Sequence, residues 1–328
     1  MVVRGWLING VIIYIASLVS SEVQELYHQE NAAVPPSICS GDLSFTKGYR
    51  CVDYNVITED GYILRLWRFH EGRTKESRKE RKQPVFMQHG DGRCWFAVSH
   101  ADQSLAIQLV EQGYDVWIPN TRGTTYSQQH VSSNITYSSE GYWDFTYSEM
   151  ATYDLRAFLN FVYLETGQKV HYIGHSQGTT MMFAAFSEWK VEERVKSAVM
   201  LAPVVFLNHM PFGLTYALAK SYIGVRKPIF AQYDYGNPAT NMEHYGVPEP
   251  PPYDLRKIPK DFPLFLIYGG QDLLSIREDV HILLNKLRSH RIVRELYIDN
   301  YAHFDFLQGI TAKDVVFPDI VGFMQGID

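Results

Sequence analysis

The stretch from Lys169 to Trp189 restricts the fold more than any other part of this 328-residue chain. Lys169-Val170-His171-Tyr172-Ile173 alternates and ends on a β-branched apolar residue, the pattern of a short buried strand, whereas Thr179 to Trp189 is apolar and helix-tolerant throughout. Between them stands Gly174-His175-Ser176-Gln177-Gly178. A strand that becomes a helix within so few residues crowds its own backbone, and a Cβ at either glycine would obstruct the turn. The turn therefore holds Ser176 on a strained tip, with helix N–H groups pointing toward any negative charge that develops beside it. Ser176 is the candidate nucleophile. An ordinary Gly-rich turn that contains a serine is the competing reading of this stretch.

The rest of the chain supplies a setting for such a turn. Tyr54 to Thr58 and Tyr62 to Phe69 read as two strands joined by a hairpin at Asp60-Gly61. Pro84 to Gln88 is a third strand, Ser104 to Gln112 a helix, Tyr114 to Ile118 a strand, and Ser148 to Thr166 a long amphipathic helix before the elbow. Val195 to Leu201, Leu264 to Tyr268 and Arg294 to Ile298 read as further strands, Glu278 to Ser289 as a helix, and Thr311 to Met324 as one closing helix. Alternating strands and helices imply a mostly parallel sheet with helices on both faces. Residues 203–259, aromatic and Pro-rich, interrupt the alternation and read as an insertion over the sheet.

A serine hydroxyl needs a base to take its proton, and the base needs an acid to orient it. In a sheet of this kind the acid and then the histidine follow the nucleophile, each in the loop after a strand. Gly269-Gly270-Gln271-Asp272 follows one strand and Asp299-Asn300-Tyr301-Ala302-His303 follows the next, so Asp272 and His303 are the candidate acid and base. Asp279 falls within a helix, Asp299 and Asp305 crowd the histidine's own loop, and His281 and His290 lie on or near a helix. The oxyanion donors expected are the backbone N–H groups of Gln177 and Asp91. A carboxylate at Asp91 would oppose an oxyanion if it faced the site, and the flanking Gly90 and Gly92 leave room for it to turn toward solvent.

Residues 1–21 carry Arg4, a 14-residue run from Trp6 to Val19 that is largely apolar, and then two serines, the pattern of a secretory signal peptide. Residues 22–328 then form one domain. Of three cysteines, Cys39 and Cys51 are close enough in sequence to bridge in an oxidising compartment, leaving Cys94 free. Asn134 heads a permissive N-x-[ST] sequon in a turn-rich stretch, a candidate glycan site. The net charge of −6 argues against a nucleic-acid partner. No spacing of His, Cys and Asp suits a metal, so neither metal nor organic cofactor is expected.

Several motifs in order resemble the acid lipase family of α/β-hydrolases, the group of gastric and lysosomal acid lipases and plant triacylglycerol lipases. They are Gln88-His89-Gly90, Asn120-Thr121-Arg122-Gly123, Met150 to Leu155, Gly174 to Gly178, Phe230 to Gly236, Gly269 to Asp272 and His303 to Phe306. The resemblance runs from about Ser37 to the C-terminus and implies the α/β-hydrolase fold with Ser176, Asp272 and His303 as its triad. It also implies hydrolysis of lipid esters such as acylglycerols, in a secreted or vacuolar/lysosomal protein, and the pairing of Cys39 with Cys51. The chain departs from the family at Asp91, where an apolar residue is usual, and in the stretch from Val204 to Phe230, which is far shorter than the family's cap. A reduced cap could still contact a lipid interface. The reading from another class is a catalytically impaired relic that binds lipid or a partner.

Overall fold

Alternation along the strands sorts their side chains into two cores, one on each face of a single sheet. Val85 and Met87 of β3 (Pro84–Gln88) belong to one core and Phe86 to the other. Val199 and Leu201 of β7 (Val195–Leu201) oppose Ala198 and Met200 in the same way, as do Phe265 and Ile267 against Leu264 and Leu266 of β8 (Leu264–Gly269). These strands are buried on both faces, which is why they read as apolar runs rather than as half-polar alternation. The computed structural model describes residues 38–40, 48–75, 82–90, 103–210, 229–290 and 293–327.

The remaining strands are β1 (Arg50–Ile57), β2 (Tyr62–Glu71), β4 (Asp115–Pro119), β5 (Gln129–His130), β6 (Val170–His175) and β9 (Val293–Ile298). Their order is β1-β2-β4-β3-β6-β7-β8-β9, with β5 paired to β2. β2 runs antiparallel to β1, β4 and β5, and every pairing from β4 through β9 is parallel. The helix α1 (Leu105–Glu111) packs on one face with α7 (Ala312–Val315) and α8 (Phe317–Gln325). On the other face lie α2 (Leu155–Thr166), α3 (Gln177–Glu188) and α5 (Arg277–Lys286). The C-terminal ends of β6, β8 and β9 thus emerge along one edge, where ligands bind in open α/β sheets.

Two helices differ from their sequence reading. The stretch expected as a regular helix from Ser148 opens with a short turn, Tyr147–Glu149, closed by a Thr146/Glu149 capping box. It then passes through a π turn, Met150–Asp154, before α2 begins. The stretch expected as one closing helix is two, α7 and α8, because Pro318 sits where a helix starts rather than where one continues. A short helix, α6 (Asp305–Gln308), precedes them.

The π turn delivers Asp154 to Arg122, a buried cation at the end of β4. Arg122 donates from Nε to Asp154 Oδ1 at 2.7 Å and from its backbone N–H to Asp154 Oδ2 at 2.9 Å. Its two terminal nitrogens donate to Asp60 at 2.6 and 2.9 Å, and the guanidinium lies 3.9 Å from the Tyr62 ring centroid. Burial works against this charge, but the two carboxylates outweigh it and hold the guanidinium above its ordinary pKa. One side chain therefore joins the β1–β2 hairpin, the loop after β4 and the helix before the elbow.

Cys39 and Cys51 form a disulfide with Cα atoms 5.1 Å apart, fastening the turn Ile38–Ser40 to β1. Cys94 and the signal segment lie outside the described residues. Asn134 is exposed in the loop after β5. Within the 203–259 insertion, the described part holds α4 (Pro238–Tyr245) and a bridge between Ala231 and Pro252. It is pinned down by Tyr147, whose hydroxyl donates to the Ala231 carbonyl, and by a 3.0 Å bond from the Tyr253 hydroxyl to Ser148 Oγ.

Replacing Arg122 by Met should destabilise the protein by about 3–5 kcal/mol, because Asp154 is left as a buried carboxylate without its partner. Urea unfolding would measure it. A loss below about 1 kcal/mol, the scale of an exposed pair, would contradict this account of the junction.

Candidate active site

Ser176 occupies the corner between β6 and α3 with φ 54° and ψ −121°, one of two non-glycine residues at positive φ among those described. A conformation this sparsely populated costs on the order of 1–3 kcal/mol and persists only where its surroundings hold it. They do so by close packing. A Cβ on Gly178 would lie 2.8 Å from the Gln88 carbonyl oxygen and 2.9 Å from that of His89, so α3 rests directly on the end of β3. The Tyr172 hydroxyl donates to the Gly178 carbonyl at 2.6 Å, and the Ser176 N–H donates to the Leu201 carbonyl at 3.0 Å. Ser176 itself stays partly exposed while His175 and Gln177 on either side are buried.

The loops after β8 and β9 bring the other two candidates to it. Gly269 allows this, since a Cβ there would stand 2.1 Å from the Tyr301 carbonyl oxygen. The two loops are stitched together by Gln271 N–H to the Tyr301 carbonyl at 2.9 Å and by Gly270 N–H to the Ile298 carbonyl at 3.0 Å. His303 Nδ1 lies 2.9 and 3.1 Å from the two carboxylate oxygens of Asp272, and His303 Nε2 lies 2.8 Å from Ser176 Oγ. An ionised carboxylate can only accept, so the ring proton sits on Nδ1 and leaves Nε2 bare to accept the serine proton.

Asp272 is ready for that part. Burial by itself would raise its pKa, but the His303 bond and the Leu274 and Ser275 N–H groups, each donating to Oδ1 at 2.8 Å, hold it below the ordinary carboxylate value. A depressed folded-state pKa contributes stability that is complete above the unfolded value and lost as pH falls through the folded one. Asp272 therefore remains charged into the acid range.

Of the competing acids, Asp279 is spent on the chain leaving β7, accepting from the Asn208 and His209 N–H groups at 3.1 Å each. Asp305 accepts the Ala302 N–H at 2.7 Å, and Asp299 accepts from the Tyr297 hydroxyl at 2.8 Å. His281 and His290 face Tyr268 and the Ile258 carbonyl, away from the serine. Gln177 opens α3, where backbone N–H groups have no partner within the helix. The other expected oxyanion donor, Asp91, lies outside the described residues. Gly90 before it is in place, its Cβ position only 2.8 Å from the Ser176 Cβ.

Thr179 and Ser275 were not singled out from the sequence, and His89 stood there only as part of the Gln88-His89-Gly90 motif. Thr179 Oγ1 donates to the Ser176 carbonyl at 2.6 Å and accepts the Val204 N–H at 2.9 Å. Ser275 Oγ donates to the Pro203 carbonyl at 2.8 Å, which ties the acid's loop to the start of the insertion. His89 is buried, donates from Nδ1 to the Gly90 carbonyl at 2.6 Å and accepts the Thr121 N–H at 3.3 Å; burial pushes its pKa down to about 4. The only sequence signal for these is a polar residue beside an apolar strand. Among the described residues no His, Cys, Asp and Glu cluster could hold a metal ion.

The strain at Ser176 has a measurable consequence. Ser176→Gly should be more stable than Ser176→Ala by about 1 kcal/mol, because glycine adopts positive φ without cost while alanine keeps the strain. Thermal unfolding of the two variants decides it, and a more stable alanine variant would show that the corner is relaxed.

Residues 83–222 match the family model for the alpha/beta hydrolase fold, and residues 42–91 match that for a partial alpha/beta-hydrolase lipase region. Triacylglycerol lipase 2 of Arabidopsis thaliana is 31% identical, the match covering 98% of this chain and 96% of the relative. Its alignment runs over 406 residues against 328 in this chain, so the relative carries segments that this chain lacks. Lysosomal acid lipase/cholesteryl ester hydrolase of Macaca fascicularis is likewise 31% identical, over 85% of this chain and 88% of its own. An esterase structure from Pyrococcus furiosus shares the fold with a TM-score of 0.57 at 17% identity, covering 89% of this chain and 98% of the esterase. The chain belongs to the acid lipase family of α/β-hydrolases.

Proposed function

We propose that this protein is a serine ester hydrolase that cleaves acyl esters such as acylglycerols through an acyl-enzyme intermediate. The observation that carries the reading is the continuous hydrogen-bonded line from Asp272 through His303 to a strained, partly exposed Ser176. Ser176 Oγ attacks the ester carbonyl as its proton passes to His303 Nε2, and the oxyanion is held by backbone N–H groups at Gln177 and in the loop that begins at Gly90. His303 returns that proton to the leaving alcohol. Water, deprotonated by the same nitrogen, then releases the acid. Asp272 keeps the imidazole in the required tautomer and offsets its positive charge.

A catalytically impaired relic is the less favoured reading, since a relic gains nothing from a serine kept in a costly conformation against a correctly tautomerised histidine. Named lipases among the relatives support lipid esters as the substrate class. The 203–259 insertion would serve as a reduced cap and touch the lipid surface, a role supported by Ile229, Met242 and Val247, each more than 40% exposed. Passage through the secretory pathway is supported by the N-terminal sequence and by the Cys39–Cys51 disulfide. No helix among the described residues is long and apolar enough to cross a membrane.

Ser176→Ala and His303→Ala should each abolish hydrolysis of acylglycerol emulsions and soluble short-chain esters while leaving the protein folded. Asp272→Asn should fold and lose activity by roughly 10⁴, the scale seen when a triad histidine is left in the wrong tautomer. Wild-type turnover by Ser176→Ala would overturn the reading.

A further inference from the structure

The residue before the nucleophile is a histidine that the reaction as written does not use. His175 ends β6, is buried, and lies with its ring centroid 4.9 Å from that of His303. Its Nε2 stands 2.8 Å from the His303 backbone carbonyl oxygen. A carbonyl can only accept, so the proton of His175 is on Nε2 and its Nδ1 is bare. That Nδ1 has no hydrogen-bond partner among the described residues, and a Cβ added to Gly90 would stand 3.4 Å from it.

We propose that His175 is a positioning residue for the general base: its Nε2–H anchors the His303 backbone to the elbow, and its ring remains neutral so that His303 alone takes up the proton. This rests on the hydrolase reading above. The anchoring half follows from distance, because the loop after β9 has to hold an imidazole between an oxygen on β6's corner and a carboxylate on β8's loop. A misplacement of about 1 Å in such an arrangement can cost on the order of 100-fold in rate.

The neutral half follows from what surrounds the ring. Facing it are His303 and Phe304 from the loop after β9, Asp272 from the loop after β8, and His89 with Gly90 from the end of β3. A second proton on Nδ1 would be a buried donor among these groups, set beside an imidazole that must itself become positive. Burial, and then the nearness of His303, push the His175 pKa down to about 3. Asp272 acts in the opposite direction, but it is already bound by His303 and two backbone N–H groups.

Two substitutions separate anchoring from simple packing. His175→Gln places an amide N–H near the Nε2 position, whereas His175→Met fills similar space with no donor. The expected result for Met is a fall in kcat of at least about tenfold with KM unchanged, and for Gln a recovery to within about threefold of wild type. The acid limb of the kcat profile should not move in the Gln variant, since no charge has been removed. Equal loss in both variants, or no loss in either, would overturn the anchoring role.

The ring's state is tested without turnover, so its failure and that of the hydrolase reading remain distinguishable. In ¹⁵N-histidine-labelled full-length protein, the signal that disappears in His175→Gln should show a single proton on Nε2 down to about pH 5, below the ordinary titration range of histidine. A proton on Nδ1, or titration of that ring above about pH 5, would overturn the neutral role.

Discussion

The contact between the start of α3 and the end of β3 is the constraint on which the site depends. With Gly178 pressed onto the Gln88 and His89 carbonyls, the helix begins with Ser176, the residue directly before it, turned through positive φ. The strain at Ser176 is therefore a by-product of packing two elements closer than side chains would allow. That packing is backed by buried strands on both sides, β3 and β7, whose apolar side chains alternate between two cores. A sheet so fully covered does not relax to relieve one corner.

The electrostatics of the site follow from the same burial. Three imidazoles gather at the sheet's edge, and two of them, His89 and His175, are enclosed and held neutral by desolvation. Each has one nitrogen committed to a backbone carbonyl, Gly90 for the first and His303 for the second. His303 differs in facing a carboxylate, so its Nδ1 proton is locked and its Nε2 is the basic nitrogen directed at Ser176. Burial that would neutralise an isolated acid is overcome at Asp272 by three donors. What separates the candidate base from the two enclosed histidines is its partner rather than its depth.

Much of this was legible in the chain because strands, turns and chain order leave local marks. Two-sided burial made β3, β7 and β8 read as apolar runs, and the positions of Ser176, Asp272 and His303 just after β6, β8 and β9 singled them out; the structure brings these three within hydrogen-bond reach. The π turn at Met150–Asp154 was not legible, because apolar periodicity is nearly the same for a helix with or without one wider turn, and its purpose lies in the distant Arg122. The break between α7 and α8 did carry a mark in Pro318, which the apolar pattern on either side masked. The two-residue strand β5 has no apolar run to show itself, and the roles of His89, His175 and Thr179 exist only once separate loops converge.

The central claim is that packing has made Ser176 a nucleophile with His303 as its base. The most direct measurement is reaction of the purified protein with a fluorophosphonate ester, followed by peptide mass spectrometry, in wild type and in His303→Ala. A single covalent adduct on Ser176 of the wild type, with little or none in His303→Ala, is the expected result. A folded wild-type protein that takes up no label, or takes it up on another residue, would contradict the claim.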